Sequence, residues 1–242
     1  GQGNPQPLTI PYKKKTLTGN TLRAQLNEWL QRGIIEESHA AAVARVIDNS
    51  DWLDDLPAFV LMGAGAEIGP YQALLDMGAT VVAVDLNRAD IWERLIKTAR
   101  ESAGTLIFPL QAAQMDDMTD SDLAGLAGAN LISDTPEIIT WLVGLDRPLT
   151  LGGYAYLDSG DFVRVAVAMD VIIKTVAEQA THIINIAFLL TPTDVMAVPS
   201  DVMDAAQKRY EEPTTFRPIR SLFGTISNSR IFAKNVRRVV LS

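Results

Sequence analysis

Two glycines, Gly63 and Gly65, close the apolar run Phe59–Met62, and Gly69 follows where a helical pattern begins. Glycine lets the backbone turn tightly and approach a ligand, so the N–H groups of such a turn can meet phosphate oxygens. Asp85 stands 22 positions beyond Gly63, at the end of the next apolar run, "ATVVAVD". A carboxylate there can accept both hydroxyls of an adenosine ribose, and it repels a 2′-phosphate, which favours NAD over NADP. The plainer alternative is that the glycines only allow close helix–strand packing and that Asp85 opens a turn.

A second group of reactive side chains lies in "GGYAYLDSGDFVR". It gathers Tyr154, Tyr156, Asp158, Ser159, Asp161 and Arg164 around the expected carboxyl end of a strand, the edge at which parallel sheets bind ligands. Tyr156 is the candidate proton donor, with Arg164 lowering its pKa or holding a substrate carboxylate, and Asp158 beside them. Alternatively, the tyrosines pack half-buried on the sheet, Asp161 caps a helix and Arg164 sits in its first turn. The two histidines, His39 and His182, form neither a metal cluster nor a triad, and no metal site is expected. Asp116, Asp117, Asp120 and Asp122 read as a solvated helix start. With no cysteine, disulfides, thiol nucleophiles and thiolate metal sites are excluded, and a cytoplasmic location is the expectation.

The elements that would position these residues alternate. Residues 5–20 read as an extended arm, followed by a helix with Leu22, Leu26 and Leu30 on one stripe and Gly33 as its stop. A second helix starts near Ser38, so residues 1–55 are expected to form a helical N-terminal extension. From residue 56 to 242, short apolar runs alternate with helical stretches. Strands are predicted in "AFVLMGAG", "ATVVAVDLN", "GTLIFPL", "ANLIS", "PLTLGGYAYL" and "HIINIAFLLTP", with a long helix over "GDFVRVAVAMDVIIKTVAEQA" and a closing strand in "RRVVLS". Such alternation with right-handed crossovers gives an α/β fold with a doubly wound, parallel, Rossmann-like sheet.

"MGAGAEIG" is similar to the glycine turn of the short-chain dehydrogenases/reductases, and "GATVVAVDLNR" resembles the second strand of their NAD-dependent members. The resemblance spans roughly residues 58–195, with the first thirty carrying the specific match. It implies NAD as cofactor, held by Gly63, Gly65, Ile68, Gly69, Asp85, Leu86 and Ser133. It also implies a homo-oligomer. Three departures stand out. Glu67 occupies the family's middle glycine, "SDTP" at 133–136 replaces an Asn-Asn-Ala-Gly stretch, and the Tyr-x-x-x-Lys pair is missing. Four positions after Tyr12, Tyr71, Tyr154, Tyr156 and Tyr210 lie Thr16, Leu75, Asp158, Gly160 and Thr214. Without a lysine one turn away, proton delivery must be nonstandard.

The 242 residues are 48% hydrophobic, enough for a sizeable core, and the net charge is −8. From residue 207 onward, eight basic residues face Glu211 and Glu212, a balance of +6 that leaves −14 for the rest. An acidic body argues against nonspecific nucleic-acid binding. No apolar run reaches the 18–20 or so residues of a membrane helix, and no membrane partner is expected. Three functions follow: an NAD(H)-dependent oxidoreductase acting on a small carbonyl or alcohol substrate, a noncatalytic nucleotide-binding scaffold or regulatory domain, and an S-adenosylmethionine-dependent methyltransferase. The chain is also read as a candidate part of a longer multidomain protein.

Overall fold

The computed structural model describes residues 1–48, 56–113, 117–182, 184–189 and 200–211. The chain divides into two units, 1–189 and 190–242. The expected "RRVVLS" strand, most of the basic tail and the "TPTD" turn lie outside the described residues.

The first unit opens with an antiparallel hairpin, β1 (Thr9–Tyr12) and β2 (Lys15–Thr18), where an extended arm was expected. Lys13 and Lys14 both take positive φ, 45° and 64°, which is the geometry of a two-residue hairpin turn. Helices α1 (Gly19–Gln31) and α2 (Glu37–Asp48) follow. Leu17, Leu22 and Leu26 are buried together, with Trp29, Val43 and Ile47 packed around them.

The main sheet has five parallel strands: β3 (Ala58–Met62), β4 (Thr80–Val84), β5 (Thr105–Ile107), β6 (Leu149–Gly153) and β7 (Ile184–Ile186). Their spatial order is β5-β4-β3-β6-β7, a Rossmann-like α/β topology. Alternation along the strands feeds two cores. Val60, Met62, Val82 and Val84 pack on one face against α6 (Thr135–Val143) and α7 (Gly160–Gln179). Leu61, Val81 and Ala83 pack on the other against α3 (Tyr71–Met77), α4 (Ala89–Glu101) and α5 (Asp120–Leu126). Helices thus cover both faces, as in a doubly wound sheet. In the second unit, α8 spans Ser200–Glu211.

One expected strand does not form. "ANLIS" runs past the end of β4 as a turn leading into α6. The Asn130 carboxamide oxygen accepts from the Ile132 N–H at 2.9 Å, and an Asp134 carboxylate oxygen accepts from the Asn130 N–H at 2.8 Å. Side chains therefore take the amides that a strand would offer its neighbour. Beyond it, β6 pairs directly with β3.

Candidate functional site

The chain leaves β3, builds β4 and β5 to one side, then crosses to build β6 and β7 on the other. The switch between β3 and β6 opens a crevice at the carboxyl ends of the strands, where open α/β sheets bind ligands. A cavity of about 260 Å³ lies there, at the small end of ligand pockets. Gly63, Gly65, Ala66, Asp85, Leu86 and Ile91 form one side, and Ala155, Tyr156, Leu157 and Val165 another, with Asn130, Leu131 and Ile132 completing the wall.

The glycine turn is built by its own hydrogen bonds. The Gly63 and Ala64 N–H groups donate to the Val84 carbonyl, Ala66 to Gly63, and Gly69 to Ala66. Gly63 has φ +89°, and a Cβ there would lie 2.5 Å from the Ala155 Cα. Glycine thus serves both the left-handed backbone and the close approach of the segment after β6. Among the described residues the N–H groups of Glu67 and Ile68 have no acceptor, so these are the donors the turn leaves for an anion. The Glu67 side chain is exposed, and Ile68 is 84% exposed.

Asp85 faces this turn. One carboxylate oxygen accepts from the Gly65 N–H at 2.7 Å and the other from the Leu86 N–H at 2.8 Å. A carboxylate has about four acceptor positions, so roughly two remain for a ligand. Arg94 donates to the Gly65 carbonyl at 2.9 Å, bracing the same turn from α4. The Asp85 carbonyl accepts from the Ala129 N–H, Asn87 donates to the Ala127 carbonyl, and the buried Trp92 indole donates to the Leu86 carbonyl. This lattice ties the 127–132 segment to the end of β4 and places Leu131 and Ile132 in the cavity wall.

The sequence-expected residues divide. Gly63, Gly65, Asp85, Leu86 and Tyr156 line the cavity; Ile68, Gly69 and Ser133 do not. The Ser133 hydroxyl donates to Asp134 at 2.7 Å. Asp158 is exposed and lies outside the lining. Arg164 also lies outside it, paired with Asp161 at 3.4 Å. Tyr156 is 73% exposed at the cavity mouth, with its ring centroid 5.4 Å from that of Phe162. Tyr154 is partly buried against the core, and that burial raises its phenol pKa. Ala66, Ile91, Asn130, Leu131, Ile132, Ala155, Leu157 and Val165 were not anticipated. Only Asn130, followed by Asp134 in a turn-forming pattern, carried a readable signal.

Compared with known proteins, the chain matches no protein-family model, no curated protein and no solved structure.

Proposed function

We propose that the cavity holds the nucleoside end of NAD(H) and that the domain is an oxidoreductase acting on a carbonyl or alcohol. The observation that carries this reading is the Asp85 carboxylate, fixed by the Gly65 and Leu86 N–H groups at the rim of an apolar crevice at the strand switch. Its remaining acceptor positions suit the two ribose hydroxyls, and its charge disfavours a 2′-phosphate. Leu86, Ile91 and Ile132 supply apolar walls for the base, while the Glu67 and Ile68 N–H groups are donors for the diphosphate. NAD(H), when bound, would supply or accept hydride. Tyr156, a phenol among the lining residues, would give the substrate oxygen its proton on this reading.

S-adenosylmethionine is the second reading. A cavity of about 260 Å³ matches a nucleoside better than a whole dinucleotide, and Glu67 extends from the turn where a diphosphate would lie. Calorimetric titration with NADH, NADPH and S-adenosylmethionine separates the two. Tight binding of NADH alone supports the oxidoreductase, and binding of S-adenosylmethionine alone supports the methyltransferase. Binding of none refutes both.

A further inference from the structure

The mouth of the cavity is apolar where a polar ligand alone would need no such surface. Leu86, Ile132, Tyr156 and Leu157 line the cavity and are all exposed, and the exposed Phe162, outside the lining itself, packs on Tyr156 at the margin. Large apolar side chains in water are unremarkable singly, but a contiguous set around a concavity marks a recognition surface. On the nucleoside reading, Leu86 and Ile132 flank the base beside Asp85. That leaves Tyr156, Leu157 and Phe162, between the end of β6 and the first turn of α7, on the side facing a substrate whose class is not yet assigned.

The chemistry of this second side is one-sided. Ala155, Leu157 and Val165 are aliphatic, and Tyr156 alone among these four lining residues carries a side-chain polar group. The charged residues nearby in sequence, Asp158, Asp161 and Arg164, do not line the cavity, and Arg164 is engaged with Asp161. No cation is therefore presented here to a substrate carboxylate or phosphate among the lining residues. The two rings meet at 49° with centroids 5.4 Å apart. This tilted geometry leaves open ring faces on which a further flat group can stack, since aromatic contacts tolerate centroid spacings of about 4.5–7 Å.

We propose that the Tyr156–Phe162 pair, with Leu157, is the substrate platform of the cavity, and that the substrate is an uncharged carbonyl or alcohol carrying an aromatic group. This rests on the nucleoside reading for the Asp85 side, but the platform binds through its own residues. The Tyr156 hydroxyl then meets the substrate oxygen while the rings take its flat part. An apolar surface of this kind rejects small polyhydroxylated carbonyls, which would lose hydration without gaining partners.

The test uses the full chain and two ketone probes, 2-acetonaphthone and dihydroxyacetone, titrated by calorimetry with and without saturating NADH. The expected result is binding of 2-acetonaphthone and at least tenfold weaker binding of dihydroxyacetone. Phe162→Ala should weaken 2-acetonaphthone at least fivefold and leave NADH affinity within twofold. Tyr156→Ala should weaken 2-acetonaphthone similarly, and Tyr156→Phe should retain most of the stacking. Circular dichroism melts confirm folding, and Leu157→Ser provides a second perturbation of the same surface. Equal binding of the two ketones, or 2-acetonaphthone affinity unchanged in Phe162→Ala and Leu157→Ser, overturns the platform. Concentration-dependent sedimentation that Tyr156→Ala abolishes would assign the patch to self-association and also overturn it. Failure of NADH to bind refutes the NAD(H) reading alone, because 2-acetonaphthone binding and its loss in Phe162→Ala are read in the unliganded protein.

Discussion

Replacing Asp85 with asparagine perturbs the turn and the ligand seat together, by amounts that follow from its hydrogen bonds. Both carboxylate oxygens are acceptors, one for the Gly65 N–H and one for the Leu86 N–H. Asparagine has one oxygen, so its NH₂ group must confront one of these backbone donors whichever way the amide is turned. Left without an acceptor, the part-buried Gly65 donor costs about 1–3 kcal/mol, and the exposed Leu86 donor costs less because water reaches it. For a unit of this size that lowers the melting temperature by about 2–4 °C per kcal/mol. The same change removes the charge that strengthens hydrogen bonds to ribose hydroxyls, each worth about 1.5–3 kcal/mol to a charged acceptor. Losing one of them weakens NADH by about 10- to 100-fold. Urea unfolding reads the first effect and calorimetric titration the second. Unchanged stability would refute the claim that Asp85 pins the glycine turn. A stability loss with NADH affinity unchanged within twofold would leave Asp85 as a turn anchor and refute its role in ligand binding.

Three further outcomes are expected. Gly63→Ala introduces a left-handed alanine whose Cβ meets the backbone of Ala155, so it should destabilise by about 3 kcal/mol or more in urea unfolding; a loss below 1 kcal/mol would contradict the packing described. Glu67→Gln removes a negative charge beside the expected diphosphate and should tighten NADH several-fold at low salt, with a smaller gain at high salt; no gain at any ionic strength would place the diphosphate elsewhere. The Tyr71 hydroxyl donates to the Leu95 carbonyl at 2.7 Å, and burial raises its pKa, so the folded state favours the protonated phenol. Its contribution is fully present below the unfolded tyrosine pKa of about 10 and is lost as pH rises above it. Urea midpoints between pH 8 and 11 should fall less steeply in Tyr71→Phe than in the parent chain, and parallel slopes would refute this linkage.

The alternation of apolar runs determined much of the architecture. Phe59–Met62 and Thr80–Val84 each carry two opposed apolar faces, a pattern that requires helices on both sides and hence a parallel sheet. Glycine at 63 and 65 and the acid at 85 were also legible, because a left-handed turn and a strand-end carboxylate depend on residue type and spacing. Among described residues, no helix is long and apolar enough to cross a membrane.

Local composition could not determine how later segments met the sheet. "ANLIS" has the apolarity of a strand, but Asn130 and Asp134 capture its amides, and its anchoring by Asp85 and Asn87 involves residues some forty positions away. The β1–β2 turn was equally hidden, since Lys13-Lys14 has none of the Gly or Asn preference of its backbone and the hairpin draws support from the Leu17–Leu22–Leu26 core. The sequence therefore determined which residues were equipped for chemistry. Only tertiary structure decided which share a cavity: it left Ser133 and Arg164 to their neighbours and brought Ile132, Leu157 and Phe162 to the mouth or its margin. Side-chain type is local, whereas convergence depends on the order in which strands pair and the hydrogen bonds that loops find across that sheet.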